Sequence, residues 1–359
     1  MEKEDEIRFF RKKIGELDGE ILCLLNKRAE IGLEMGKVKS QGEIALYDPQ
    51  REDRILKQLA SQNSGPFPRQ AIPPVFREII SACRSLETEL TVVYLGPPAT
   101  HTHLACIEYF GSSIQTQPKE SIREVFEAVE RGKASYGVVP IENSTEGSVN
   151  QTLDMLVESE VMICGETMIQ VSHNLLSQSG KPEDIRKIYS HPSALEQCRK
   201  WLRKNFPNVE VAETVSTAKA AQMATKDSET AAIASSLAAH LYELKVVESR
   251  IEDYLNNYTR FLVLGFQTDK RTGRDKTSIL FSTPHVPGSL YRVLKIFSEK
   301  GINLTKIESR PVKHKRWEYI FFLDFEGHAT DFHVREALAE MKENVLFLKP
   351  LGSYPQSPE

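Results

Sequence analysis

No apolar stretch in this sequence approaches the roughly 18 residues that a membrane-spanning helix needs, so no membrane partner is expected. No Cys-x-x-Cys occurs, and the five cysteines (Cys23, Cys83, Cys106, Cys164, Cys198) are odd in number and scattered. That pattern excludes a disulfide frame and a clustered zinc site and points to reduced thiols in the cytoplasm. An excess of positive charge is also missing. The formal net charge is −4 over 359 residues, which disfavours nucleic acid as a partner. The opening Met-Glu-Lys-Glu-Asp-Glu lacks the apolar core of a secretion signal. No repeat with a period of about 20–50 residues occurs.

What is present is an ordinary globular balance, 40% hydrophobic and 27% charged. At about 150 residues per domain the length implies two or three domains. The charge is uneven: −1 over residues 1–90, −6 over 91–265 and +3 over 266–359.

Residues 5–40 contain no proline and repeat at helical spacing along Arg11, Ile14, Asp18, Ile21, Leu25, Arg28, Gly32, Met35 and Lys39. Such a helix spans about 50 Å, too long for a compact 90-residue monomer, so a second copy is expected. Asp48-Pro49 reads as an N-cap followed by proline in the first turn. A third helix follows Pro73-Pro74, with Phe76, Ile80, Cys83 and Glu87 on one face. Arg28 and Lys39 share a helix face, and Arg51 and Glu52 open the second helix. Cations facing a helical interior suit a small polyanion, or else form an ion-pair network with Asp18, Asp48 and Glu52.

From Thr91 strands and helices alternate, an α/β signature. Strands are expected at 91–95, 136–141, 188–189, 231–233 and 261–264. Residues 137–154 run from a buried strand through the polar loop Glu142–Gly147 into a helix. The loop's hydroxyls and the helix's free amides could hold an anion. Thr268–Lys276 reads as a linker. Strand 277–283, helix 288–300, strands 302–309 and 317–325, helix 331–343 and strand 345–350 give the ferredoxin-like order βαββαβ. Residues 350–359 read as a loose tail.

The first block resembles the all-helical chorismate mutase family. The carriers are Arg-Lys-Lys-Ile-Gly-Glu-Leu-Asp (11–18), Lys-Arg (27–28), Gly-Lys-Val-Lys (36–39) and Asp-Pro-Gln-Arg-Glu (48–52). The resemblance implies an intertwined dimer in which Arg11 reaches the partner's site. It implies that Arg11, Arg28 and Arg51 hold substrate carboxylates, that Lys39 meets the ether oxygen, and that Asp48 and Glu52 take the ring hydroxyl. The last matching position, often glutamine, holds Glu87. An ionised carboxylate cannot donate to the ether oxygen, so Glu87 is expected to act protonated. The rearrangement needs a folded substrate and stabilised charge, with no nucleophile, metal or cofactor.

The middle block resembles prephenate dehydratase through Tyr-Leu-Gly-Pro-Pro-Ala-Thr-His-Thr-His (94–103), Glu-Asn-Ser-Thr-Glu-Gly (142–147), Ser-His-Pro (190–192), Ala-Ala-Ile-Ala-Ser (231–235) and Thr-Arg-Phe (259–261). The resemblance implies a two-lobed α/β fold with the catalytic Thr259 in the cleft. Asn143, Ser144, Thr145, Glu146, Ser190, His191, Arg260 and Phe261 are the expected substrate-binding residues. Three positions depart from the family: Ala99 for glycine, His101 for phenylalanine and Ser193 for glutamine.

The last block resembles the ACT regulatory domain through His-Val-Pro-Gly-Ser-Leu (285–290), Gly-Ile-Asn-Leu (301–304) and Ile-Glu-Ser-Arg-Pro (307–311). The resemblance implies phenylalanine bound near His285, Val286, Pro287, Gly288, Ser289, Leu290, Asn303, Leu304, Glu308, Ser309 and Arg310. The expected whole is a multidomain enzyme: helical mutase over 1–90, two-lobed α/β dehydratase over 91–267 and βαββαβ ACT domain over 277–354. It would turn chorismate into prephenate and prephenate into phenylpyruvate under phenylalanine feedback, as a cytoplasmic homodimer or tetramer. An arogenate-accepting dehydratase and a non-catalytic amino-acid sensor are the rival readings.

Overall fold

The computed structural model describes residues 2–39, 49–87, 90–266, 271–311 and 319–357. The chain divides into two compact units, Met1–Leu90 with Phe110–Gln115, and Thr91–Tyr109 with Thr116–Glu359.

The smaller unit is helical. Helix α1 runs Glu2–Lys39, α2 Pro49–Gln62 and α3 Ile72–Glu87. Helix α3 thus takes Pro73 and Pro74 into its first turn, where proline's missing N–H costs nothing. Gly32 and Gly36 let α1 lie close on α3: a methyl group at Gly36 would stand 2.8 Å from the Glu87 carbonyl oxygen. Along α1, Ile14, Leu17, Ile21, Leu24 and Ile31 each stay more than half exposed.

The larger unit holds three sheets. In chain order its first strands are β1 Thr91–Leu95, β2 Gln115–Lys119, β3 Tyr136–Asn143, β4 Gly147–Ser148 and β5 Met162–Gln170. The helices α4 His101–Phe110, α5 Ile122–Glu130 and α6 Asn150–Glu158 connect them. A second set follows: β6 Asn174–Ser177, β7 Lys187–Ser190, β8 Glu210–Glu213, β9 Thr230–Ala234 and β10 Lys245–Glu248. Its helices are α7 Pro192–Gln197, α8 Arg199–Asn205, α9 Thr217–Ala224 and α10 Ser236–Leu241. Strand β11, Tyr258–Gly265, returns to the first sheet, whose order is β2-β1-β3-β11-β5 with β4 beside β3. The second sheet is β10-β6-β9-β7-β8. These are the two α/β lobes expected from the alternating pattern, although both sheets are mixed: β11 runs antiparallel to β3 and β5, and β6 antiparallel to β9.

The last sheet comprises β12 Asp275–Ser282, β13 Leu304–Pro311, β14 Tyr319–Glu326 and β15 Phe347–Pro355, ordered β13-β14-β12-β15. Helices α11 Ser289–Glu299 and α12 Phe332–Lys342 complete βαββαβ. Two expectations need correction. The linker ends before Asp275, because Asp275 and Lys276 are buried in β12. The tail is strand through Pro355, with Leu351 and Tyr354 buried in one hydrophobic cluster with Val93, Leu153 and Leu262. The first lobe and the ferredoxin-like sheet therefore share a core.

Candidate active sites

In the helical unit, Arg28 is half-buried on α1 and donates to the Ile79 carbonyl at 3.5 Å. Arg51, on α2, is exposed and reaches the Met35 sulfur at 3.8 Å. Glu87, half-buried at the end of α3, lies opposite Gly32 of α1. Arg28, Arg51, Glu52 and Glu87 thus come from three helices, whereas Arg11 lies exposed on α1. The Lys39 side chain and Asp48 lie outside the described residues. Glu52 is paired with the buried Arg84, which also donates to the Phe110 carbonyl. The sequence reading had not singled out Arg84, because a lone arginine on the apolar face of α3 gave no pattern.

In the larger unit the site grows from one strand pair. Thr259 of β11 lies opposite Asn143 of β3, and Arg260 opposite Glu142. Strand side chains alternate, so the two pairs face opposite sides of the sheet. Asn143 Nδ2 donates to Thr259 Oγ1 and to Asn257 Oδ1, both at 2.8 Å. Asn143 Oδ1 accepts from the backbone N–H groups of Thr145 and Glu146 at 2.8 and 3.0 Å, which bends the loop into an Asx turn. Tyr258 N donates to Ser144 Oγ at 3.0 Å, tying the loop to β11. From the second lobe, Gln197 of α7 accepts from Asn257 Nδ2 at 2.9 Å and lies 2.8 Å from His173 Nε2. Glu146 accepts from Ser193 and, at 3.4 Å, from Gln197.

On the other side of the sheet Arg260 is buried among carboxylates. Nε donates to Glu166 at 2.7 Å, Nη1 to Asp324 at 2.6 Å and Glu142 at 3.1 Å, and Nη2 to the Tyr354 hydroxyl at 3.0 Å. Lys276 adds a bond to Glu166 at 2.7 Å. Burial alone would lower the Arg260 pKa, but Tyr354, Asp324 and Glu166 outweigh it and hold the guanidinium firmly charged. Burial would likewise raise the Glu142 carboxyl, yet Lys306 and Arg260 bring it below the usual carboxylate range.

In the last sheet, a cavity of about 550 Å³ is lined by residues 283–291 with Tyr319 and Phe321. Gly288, at φ +79°, opens α11 beside it. The left-handed backbone there favours glycine, which has no Cβ to strain.

The sequence matches the families Prephenate dehydratase over residues 92–269, Chorismate mutase type II over 10–88 and ACT domain over 277–343. The Aquifex aeolicus protein "Bifunctional chorismate mutase/prephenate dehydratase" is 49% identical over 98% of this chain and 99% of its own length. The chain belongs to that family. Among solved structures, prephenate dehydratase in complex with L-Phe from Arthrobacter aurescens superposes with a TM-score of 0.69 at 34% identity. It covers 74% of this chain and 90% of its own. A structure described as GqqA, a quorum-quenching acylase, has the same TM-score at 30% identity and covers 75% of this chain and 98% of its own.

Within the larger unit, Asn143, Ser144, Thr145, Glu146 and Thr259 converge. Four expected substrate contacts are used otherwise. Arg260 points away from Thr259, as neighbours on a strand must, and its charge is matched. Phe261 is sealed in the core. Ser190 is buried and donates to the Ile233 carbonyl at 2.7 Å. His191, exposed, caps α7 by accepting from Ser193 N. Asn257 and Gln197 had been missed. Asn257 stands two residues before Thr259, so strand periodicity alone could have found it. In the regulatory sheet, 285–290 line the cavity, whereas Glu308 and Arg310 turn toward β4 and α6. Glu308 accepts from Ser148 at 2.8 Å, and Arg310 donates to Asp154 at 2.9 Å. Asn303 instead reaches Glu326 at 3.1 Å.

Proposed function

We propose that the chain rearranges chorismate to prephenate in its helical unit and converts prephenate to phenylpyruvate in its α/β lobes, with phenylalanine as feedback inhibitor. The observation that carries the second step is the Asn143–Thr259 hydrogen bond. Asn143 occupies an acceptor position on the threonine oxygen, which leaves the hydroxyl proton free to donate. A donor there polarises the departing hydroxyl while carbon dioxide is lost and the ring aromatises. The Ser144 and Thr145 hydroxyls receive carboxylate oxygens, while the Ser144, Thr145 and Glu146 amides hold the turn itself. Glu146, beside Ser193 and Gln197, is a carboxylate on this side of the sheet, whereas Glu142 is committed to Lys306 and Arg260.

For the rearrangement, Arg28 and Arg51 hold the two carboxylates, and Arg11 reaches in from a second copy. The long exposed apolar row on α1 supports an intertwined homodimer, because an uncovered row of this kind is costly in water. The cavity at 283–291 suits phenylalanine: apolar and aromatic side chains for the ring, and the α11 amides for its carboxylate. Five free cysteines, four of them buried, fit a cytoplasmic enzyme.

The test is a two-step assay supplying chorismate, then prephenate and arogenate separately, with and without phenylalanine. Thr259→Ala is expected to lose dehydratase turnover by about 100-fold or more while making prephenate from chorismate at the normal rate. Near-normal phenylpyruvate formation by that variant overturns the reading.

A further inference from the structure

The β3–β4 hairpin faces two ways. Asn143 holds the Thr259 hydroxyl on one side. Glu142 and Ser148, opposite each other across the hairpin, face the regulatory sheet on the other. Lys306 of β13 donates to Glu142 and, at 3.4 Å, to the Ser148 hydroxyl, so one ammonium bonds both strands of the hairpin. Glu308 and Arg310 lie on the same face of β13 at spacing two. They reach Ser148 and Asp154, the latter on the helix that the hairpin leads into. Beside β13, Asp324 of β14 holds Arg260, the neighbour of Thr259 on β11. Two adjacent regulatory strands therefore grip the two strands that bring Asn143 and Thr259 together.

We propose that Lys306 is a positioning residue of the dehydratase site: by bonding Glu142 and Ser148 it sets the hairpin where Asn143 orients the Thr259 hydroxyl. Lys306 touches no substrate and acts through the hairpin. The inference rests on the dehydratase reading above. It makes the ACT sheet part of the catalytic apparatus as well as an effector module.

The experiment compares the full chain with Lys306→Met, Lys306→Arg and Glu142→Gln. Misplacing a catalytic group by about 1 Å can cost roughly 100-fold. Lys306→Met is expected to lower dehydratase kcat by about 10-fold or more, with KM changed less than about threefold. Thermal stability and mutase turnover should stay near wild type, Lys306→Arg should recover most of kcat, and Lys306→Met with Glu142→Gln together should cost no more than either alone. A kcat within about threefold of wild type for Lys306→Met overturns the proposal, as does a joint loss of kcat, mutase turnover and stability. A wild-type chain without prephenate turnover would instead overturn the dehydratase reading itself.

Discussion

His101 occupies a position where the prephenate dehydratase resemblance leads one to expect phenylalanine, and its surroundings explain why an aromatic belongs there. Its ring meets that of His173 edge to face, centroids 5.8 Å apart, and its Nε2 is enclosed without a hydrogen-bond partner. Burial first, and the neighbouring His173 second, bring its pKa down to about 4, against a hydrogen bond to the Ser172 backbone that opposes the shift. In the unfolded chain the value is about 6.5. Between about 4 and 6.5 the unfolded chain binds a proton that the folded one refuses, so stability rises with pH across that window. Falling from about pH 6.5 to pH 4 should therefore cost up to about 3 kcal/mol through this residue alone. His101→Phe is expected to flatten part of that acid loss, read as urea midpoints at several pH values; an unchanged slope would refute the assignment. Ala99 departs from the family in the opposite sense. Its φ of +70° is the left-handed backbone that makes glycine the natural choice, but its methyl group is fully buried beside Leu176, Ala218 and Ala234. Packing there offsets a strain of about 1 kcal/mol.

At the scale of elements, what the sequence revealed tracks how local the signal is. The three helices of the first unit, the hydroxyl loop at 142–147 and the βαββαβ order were all legible, because helix period, turn residues and strand alternation are written within short windows. Pairing partners were not. Nothing in the window around Arg260 says that Glu142, Glu166 and Asp324 will surround it, since each arrives from a different strand. The end of β15 was missed for a related reason: Pro350, Gly352 and Pro355 look like tail, yet the strand continues past a register shift against β12. Gly352, at φ +153°, is needed for close approach rather than for a turn, as a methyl group there would stand 2.1 Å from the Ile163 carbonyl oxygen of β5. Gly352→Ala must push β15 off β5 and open the shared core. It should destabilise the larger unit by about 2–4 kcal/mol. Calorimetry would register a drop of several degrees, and a transition within about one degree of wild type would show that β15 yields more easily than its packing implies.

For the whole molecule, the uneven charge acquires a structural meaning. The −6 of residues 91–265 and the +3 of the last stretch meet in matched pairs: Lys306 with Glu142, Lys276 with Glu166, Arg310 with Asp154 and Lys349 with Glu160. The regulatory stretch thus neutralises the acidic lobe it packs on, and Arg260 is spent inside the same network. On the proposed reading, capture of a dianionic substrate there falls to local polar groups, because long-range attraction is unavailable. The helical unit carries explicit cations instead. The isologous dimer proposed above would place Arg11 of each copy in the other's site. Mixing Arg11→Ala and Arg28→Ala subunits, each nearly inactive as mutase, should then regenerate intact sites in mixed dimers. One site in each mixed dimer carries both arginines and the other carries neither. With random exchange half the dimers are mixed, so mutase activity should return to about a quarter of wild type. Dehydratase turnover should be unchanged throughout, and a mixture no more active than its components would place Arg11 and Arg28 in the same chain's site.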